Sequence, residues 1–295
     1  ERPEKGCWLN LCDPTEGEIE FVSSQLGFDL DWVRASLDEE ERARIEWDDG
    51  ATLIIVDVPR VEAEGSSFVY STIPLGILFN DEAIVTVSLN ESPIINDFIK
   101  GRVKSFYTFK KTRFILQLLY KNATRFLMYL KQIDKASSAV QNELHKSMKN
   151  KELIQLLALE KSLVYFSTSL TSNEMVLDKM MKLGYIKKYQ DDVELLEDVI
   201  VENKQAIEMC NIYRDILSGT MDAFASVISN NLNIVMKLMT SITIIISIPT
   251  LIASIWGMNV PLPLSGSKYG FWIILGLSAA LSALIAYIMR RKKML

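Results

Sequence analysis

The sequence predicts an α+β domain followed by a long stalk helix and two C-terminal transmembrane helices. Two charge-free segments near the C-terminal end, residues 238–255 and 271–289, predict the membrane part. A helix rises about 1.5 Å per residue, so each segment is long enough to cross a hydrocarbon core about 30 Å thick. After Asp97 the chain changes from short strand-like runs to long helical patterns. This change predicts an α+β domain followed by long helices.

Residues 1–100 are expected to form a small α/β domain, because short apolar runs alternate with turn residues. Asp48-Asp49-Gly50 is a hairpin-turn sequence between two of these runs. The predicted strands are 7–11, 44–47, 51–58, 68–72, 76–79 and 83–89, and the predicted helices are 15–25 and 31–37, the second with Asp31 as N-cap. The sequence has no phosphate-binding loop and no catalytic triad with supporting context, so we do not expect an enzyme.

Long helices are expected after this domain. Residues 101–190 are predicted to form antiparallel helices over 114–144 and 152–181. Residues 191–257 are predicted to form one stalk helix that continues into the first transmembrane helix, because Pro249 is the only proline there. Such a helix would be roughly 100 Å long, and it would need to pack against copies of itself or neighbouring helices.

Charges near the C-terminal end predict the orientation in the membrane. The second span, 271–289, leads into a tail of residues 290–295, whereas the connecting loop, 258–270, carries only Lys268. A basic collar begins this tail: Arg290, Arg291, Lys292 and Lys293. By the positive-inside rule, the tail and the large N-terminal part are expected to be cytoplasmic and the loop extracellular. We therefore expect a multi-pass protein of the plasma membrane, in contact with lipid, and recognise no N-terminal signal peptide.

Composition narrows the choice of partner. The chain up to Met236 has 26 basic and 37 acidic residues, which argues against nucleic acid and suits a protein that handles cations. Three cysteines and the single histidine, His145, make a thiolate- and histidine-rich metal site unexpected. If the cargo is a metal, its ligands should be oxygens, which favours hard hydrated cations such as magnesium.

A polar seam runs along the stalk and the first span. Its positions alternate in steps of four and three, the 3.5-residue period of a supercoiled helix: Asp222, Ser226, Ser229, Asn233, Met236, Thr240, Thr243, Ser247, Thr250 and Ser254. Helix–helix packing through small hydroxyl residues is one explanation. The other is a symmetric oligomer in which the seam lines a central water-filled path, with Met236 and Met239 as an apolar constriction.

Two motifs in this region carry a family resemblance. The stretch Tyr213-Arg214-Asp215-Ile216-Leu217-Ser218-Gly219, and the end of the span from Thr250 to Trp256-Gly257-Met258-Asn259, resemble the CorA family of divalent metal ion (magnesium/cobalt) transporters, a two-span family with a Gly-x-Asn motif. The specific similarity covers about residues 190–295, and residues 1–190 match in general layout. The resemblance implies a homopentameric funnel whose first spans surround a pore for hydrated Mg²⁺, and also Co²⁺ and Ni²⁺.

The resemblance also implies a role for individual residues. Gly257, Met258 and Asn259 would form the outer selectivity filter, and Thr250 and Asn233 further polar rings within a pore lined by the seam. Met236 and Met239 would form the gate. Asp222 would place an acidic ring at the cytoplasmic mouth, and Asp198 would bind regulatory Mg²⁺ between subunits. The second carboxylate of that regulatory metal site would come from the α/β domain, with Asp97 and Glu91 as candidates.

Two departures from the family pattern leave alternatives open. Trp256 stands where the family usually has tyrosine, and residues 260–269 lack the carboxylate that classical members carry in this loop. Zinc transporters of the ZntB type also lack the acidic loop, so a zinc transporter, possibly proton-coupled, is an alternative. A non-conducting membrane scaffold is another, although it would not need polar rings throughout the span. A membrane-tethered enzyme is the least expected, because no catalytic constellation supports it.

Overall fold

The computed structural model describes residues 4–64, 67–147, 150–182, 189–260 and 268–292. The chain divides into two compact units, Glu1–Met221 and Asp222–Leu295. The first is an α+β unit and the second contains two apolar helical segments, so the predicted fold class is confirmed.

A five-stranded mixed sheet forms the centre of the first unit. Its strands are β1 (Cys7–Cys12), β2 (Arg44–Asp48), β3 (Ala51–Glu64), β4 (Ser67–Phe79) and β5 (Ala83–Ser88). The spatial order is β1-β5-β4-β3-β2, so β1 and β2 are the two edges of the sheet. β1 pairs with β5 in parallel, and the other pairs are antiparallel.

The hairpin of β3 and β4 is longer than the sequence predicts. The predictions of a strand ending at residue 58 and of separate strands at 68–72 and 76–79 are wrong, because Pro59 and Pro74 lie within the paired hairpin. β2 stops pairing with β3 at Ile55, and β5 stops pairing with β4 at Leu75. Both prolines therefore lie where their strand has lost one neighbour, and a proline without an N–H is tolerated at such an edge.

The first unit also has three short helices, α1 (Glu16–Leu26), α2 (Leu30–Ala35) and α3 (Pro93–Ile99). The N-cap of α2 is Asp29 rather than the predicted Asp31, and its carboxylate accepts a hydrogen bond of 2.9 Å from the Asp31 N–H. Helix α3 was not predicted, although Ser92 as N-cap followed by Pro93 is a helix-start signal.

Two long helices, α4 (Lys111–Ser147) and α5 (Asn150–Lys182), pack on the hairpin of β3 and β4. Asp57 in β3 joins them, because Asn122 of α4 and Asn173 of α5 both donate hydrogen bonds of 2.8 Å to its carbonyl. The Asn173 side chain also accepts from the Asp57 N–H at 2.9 Å, so it serves as a strand partner where β2 has ended. Burial raises the pKa of the Asp57 carboxyl to about 6.

The sheet has a core on each face. Ile54 and Val56 point to the face covered by α3, α4, α5 and the start of the next helix, whereas Leu53 and Ile55 point to the face covered by α1 and α2. The first unit, which we call the soluble unit, therefore has three layers, with the sheet between two layers of helices.

The last two helices are α6 (Gln190–Trp256) and α7 (Gly270–Arg291). Arg113 of α4 fixes the start of α6 through an ion pair of 3.3 Å with the buried Asp192. Within the part of the chain that is described, these two helices are long and apolar enough to cross a membrane, and their most apolar 18-residue stretches have mean hydropathies of 2.0 and 2.2.

Candidate functional site

One stripe of each apolar helix is covered within the chain. On α6 the covered residues are Ser241, which is fully buried, and the half-buried Ile245, Ile248, Pro249, Ile252 and Trp256. On α7 they include the buried Gly270, Ser278 and Met289, with Ile274 and Ser282 half-buried between them. The sequence analysis missed this stripe, although Ser278 and Ser282, four residues apart, follow the small-residue pattern of packed membrane helices.

The polar seam lies on the opposite face of α6. All ten of its positions, from Asp222 to Ser254, are exposed in the single chain. At about 100° of rotation per residue, the part of the seam from Thr240 to Ser254 lies about half a turn from the stripe centred on Ser241, Ile245 and Ile252. The face that carries the polar side chains is thus the face that the chain itself leaves uncovered.

Hydroxyl groups along the seam are held by their own helix. Thr243 donates a 2.9 Å hydrogen bond to the Met239 carbonyl, Ser247 one of 2.9 Å to Ile244, and Thr250 one of 3.1 Å to Ile246. These bonds use the hydroxyl hydrogens, so the oxygen lone pairs remain available to accept. A row of acceptor oxygens is suited to the hydrogens of a hydrated cation rather than to an anion.

The helix ends in a tight turn at the Gly-Met-Asn motif. The Gly257 N–H donates 2.9 Å to the Ala253 carbonyl, and the Met258 N–H donates 3.3 Å to Ile255. A Cβ atom at position 257 would lie 3.1 Å from the Ala253 oxygen, so glycine fits here because of close approach rather than a left-handed backbone. The turn leaves the side chain of Asn259 exposed at the end of the span.

Apolar and acidic positions occur further back along the same seam. Met236 lies on the seam and Met239 lies beside it, and they have 58% and 65% of their surface exposed in the single chain. Asn233 and Asp222 are exposed as well.

The candidate regulatory carboxylates lie in the first unit. Asp198 is exposed on α6, and Glu91 is exposed beside a cavity of about 380 Å³ that Arg60 and Tyr129 also line. Asp97 already forms two ion pairs. Arg125 contacts one of its carboxylate oxygens at 3.0 Å, and Arg102 contacts the other at 3.4 Å. Across the described residues, no group of three or more His, Cys, Asp and Glu side chains could hold a metal.

The structure also describes Cys210 and most of the basic collar. Cys210 is buried, its thiol donates to the Leu163 carbonyl at 3.0 Å, and burial raises its pKa to about 12, so it is not a ready thiolate ligand. Arg290, Arg291 and Lys292 are exposed at the end of α7, whereas Lys293 lies outside the described residues.

A long helix that continues as an apolar span with an uncovered polar seam, a Gly-Met-Asn turn and a second apolar helix define a class of two-span membrane transport proteins. A family model described as CorA-like Mg²⁺ transporter protein matches residues 3–291. The chain therefore belongs to the CorA-like Mg²⁺ transporter family.

Individual relatives support this assignment over nearly the whole chain. The chain is 29% identical to the cobalt/magnesium transport protein CorA of Methanocaldococcus jannaschii, covering 96% of this chain and 90% of that protein. The complete structure of the CorA magnesium transporter from M. jannaschii matches with a TM-score of 0.86, at 26% identity and the same coverage. The ZntB cytoplasmic domain from Vibrio parahaemolyticus has a TM-score of 0.60 at 12% identity, covering 76% of this chain and 88% of that one, and is a likeness of fold alone.

Proposed function

We propose that this protein is a homopentameric pore that carries hydrated Mg²⁺, and also Co²⁺ and Ni²⁺, across the cell membrane under the control of cytoplasmic Mg²⁺. The single observation that supports it most is the polar seam of α6, which lies half a turn away from the stripe that the chain covers. If α6 is the inner span and α7 the outer one, five seams meet at a common axis.

The proposed filter is the ring of Asn259 side chains at the outer end, presented by the turn at Gly257 and Met258. Magnesium dehydrates reluctantly, so side-chain carbonyls that accept hydrogen bonds from its water shell suit it better than a dry cage. Below the filter, the seam hydroxyls of Thr250, Ser247 and Thr243 continue the row of acceptors.

The inner half of the pore would contain the gate. Rings of Met236 and Met239 would form an apolar constriction. It would conduct only when it widens enough for water to fill it. Asn233 and Asp222 would face the ion on the cytoplasmic side of this constriction. We propose that both chain ends lie in the cytoplasm, with the basic collar of residues 290–293 against anionic lipid headgroups.

Ion flux into liposomes tests the proposal. Purified protein in vesicles is expected to admit Mg²⁺, Co²⁺ and Ni²⁺ faster than protein-free vesicles, each at a rate that does not depend on a proton gradient. Fluorescent indicators for each metal inside the vesicles measure the rates. No flux of any divalent metal would favour a non-conducting scaffold over a transporter.

Asp198→Ala is expected to weaken inhibition by Mg²⁺ on the cytoplasmic side by roughly tenfold in inhibitory concentration, because a charged ligand is worth about 1.4 kcal/mol or more at a metal site. The stalks would then open at Mg²⁺ concentrations that normally hold them closed, which is a population shift by differential ion binding. Patch recordings at stepped internal Mg²⁺ measure it.

Glu197→Ala is the matched control, since Glu197 is the exposed neighbour of Asp198 on the same helix and points about 100° away. It should leave the inhibitory concentration unchanged. An Asp198→Ala channel that is inhibited like the wild type would remove Asp198 from the regulatory site. The same recordings on Asp97→Ala and Glu91→Ala decide between the two candidate partner carboxylates.

One observation favours a second candidate function, a zinc transporter. Residues 260–269 carry no carboxylate, so the outer mouth attracts divalent cations less strongly than an acidic loop would. In the liposome assay this candidate predicts Zn²⁺ entry that an inward proton gradient enhances, with little Mg²⁺ flux.

A further inference from the structure

A basic and aromatic segment lies beside one edge of the sheet. Residues 98–133 contain nine basic and no acidic side chains, although the chain as a whole is acidic. The exposed side chains at the start of this segment, which we call the basic edge, are Lys100, Arg102, Lys104, Tyr107, Phe109 and Lys110. Phe109 has 66% of its surface exposed, and its ring lies 5.4 Å from that of Tyr107.

Buried aromatic contacts fix the basic edge next to β1. Phe106 lies 5.9 Å from Trp8 of β1 and 4.8 Å from Phe114 of α4, measured between ring centroids. A Cβ atom built on Gly6, directly before β1, would be 3.4 Å from the Cβ of Phe109. The segment is therefore a rigid feature of this side of the sheet.

The other edge of the same sheet has the opposite charge. Residues 38–49 contain seven acidic and two basic side chains, and β2 within them is the edge strand. The exposed acidic and aromatic side chains, which we call the acidic edge, are Asp38, Glu39, Glu40, Trp47, Asp48 and Asp49, and Arg42 is an exposed cation among them. Trp47 has 66% of its surface exposed, so this edge also presents an aromatic ring among its charges.

Among the described residues, most charges on both edges have no ion-pair partner, although Arg102 pairs with Asp97 and Lys110 lies over the Tyr107 ring at 5.5 Å. In the described part of the structure, no ion pair involves Lys100, Lys104 or Lys110, nor Glu39, Glu40, Asp48 or Asp49. Arg44 already bridges Glu41 and Glu46, so the carboxylates that lack a cation are those facing outward. Large exposed aromatic side chains surrounded by unpaired charges are typical of an interaction surface.

We propose that the basic edge of one copy of this chain binds the acidic edge of the next copy around a ring. The contact is heterologous, because two different surfaces meet, and a heterologous contact that repeats by rotation closes into a ring. This inference rests on the proposed homopentamer and adds to it the surfaces through which the soluble units recognise one another. Opposite charges would select the correct neighbour and register, and the aromatic rings would supply apolar contact.

Charge complementarity within one chain is the reason to choose a second copy as the occupant. Both partners of the contact are present on every subunit, on opposite edges of one sheet, so no other molecule is needed to neutralise either. At five strands about 4.8 Å apart, the two edges are roughly 20 Å from each other, too far to pair within one subunit.

Charge reversal in the full-length protein tests the contact. Lys104→Glu/Lys110→Glu and Glu39→Lys/Glu40→Lys, made separately, are each expected to raise the protein concentration at which the detergent-solubilised oligomer dissociates by roughly tenfold, because like charges then face each other. The chain that carries all four changes should dissociate within about threefold of wild type, since its edges are again complementary. Light scattering coupled to size exclusion over a dilution series measures the oligomer.

Lys131→Glu/Lys135→Glu is the matched control, because it reverses two exposed lysines of α4 outside the basic edge and should change nothing. Thermal unfolding of each variant separates a lost contact from a lost fold, and rescue in the quadruple variant does so again. The interface would be overturned if either reversal left the dissociation concentration unchanged, or if combining the reversals did not restore it. Neither result would contradict the proposed pore. A monomeric wild-type chain would overturn the pentamer itself.

Discussion

Asn259→Ala is expected to reduce Mg²⁺ uptake into liposomes by roughly 100-fold. Each asparagine carbonyl would contribute a hydrogen bond to the hydration shell worth about 0.5–1.5 kcal/mol, and the substitution removes one from every subunit at once. A total of about 3 kcal/mol at the narrow outer end corresponds to a rate change of that order. The protein should still fold, because Asn259 is exposed and follows the last helical turn of α6.

Asn230→Ala is the matched control for this prediction. Asn230 is exposed on α6 but lies off the polar seam, so the same chemical change should leave uptake within about twofold. Asn259→Asp adds information, because a charged ring would hold the ion tightly and slow its release, and conduction requires binding that is weak enough to leave. Normal uptake by Asn259→Ala would remove Asn259 from the filter and leave the Gly-Met-Asn turn without its proposed purpose.

The membrane half of the fold was predictable because its signals are long and local. A charge-free span shows itself in composition, and between Gln190 and Trp256 α6 contains only one proline, Pro249, and one glycine, Gly219. The soluble half was less predictable. Pro59 and Pro74 look like strand breakers in the sequence, and only the sheet order shows that each lies where its strand has a single neighbour.

Part of the candidate site was predictable from the sequence and part was not. The spacing of the seam follows from a single helix, so a sequence pattern could find it, whereas the covered stripe at Ser241 depends on which face is buried in the folded chain. The proposed partner of Asp198 could not be predicted, because a ligand supplied by another subunit would have no fixed spacing in the chain. The two arginines around Asp97 were also invisible in sequence, since Arg125 is 28 residues away from it.

The acidic soluble unit and the carboxylate-free loop suggest that the two ends of the proposed pore recognise cations in different ways. The sequence of the loop after Asn259 has no carboxylate, so in the proposed orientation Asn259 would recognise incoming cations by hydrogen bonding rather than by electrostatic attraction. At the cytoplasmic end of the proposed pore, Asp222 would attract divalent ions to the seam. Sensing on that side would then depend on charge, which is why the Asp198 variant should change regulation and the Asn259 variant should change transport.

Gly76→Ala is expected to destabilise the soluble unit by about 2–3 kcal/mol. Gly76 is in the centre of the sheet, where it pairs with Ile55 of β3 and Val87 of β5, and a Cβ atom there would overlap the side chain of Ser36. Ser36 ends α2, is fully buried, and its hydroxyl donates to the Trp32 carbonyl at 2.9 Å, so it cannot move aside cheaply. Overpacking of this kind typically costs about 1–3 kcal/mol. Thermal unfolding of the detergent-solubilised chain measures the loss.

A second substitution isolates the cause. Ser36→Gly removes both atoms that the new Cβ would meet, so Gly76→Ala/Ser36→Gly should recover most of the stability lost by Gly76→Ala, even though Ser36→Gly alone is destabilising. Gly17→Ala serves as control, because nothing lies within 4 Å of its Cβ position and alanine favours the helix α1. If the paired variant were as unstable as Gly76→Ala, the close packing of α2 on β4 would not be the reason for glycine at this position.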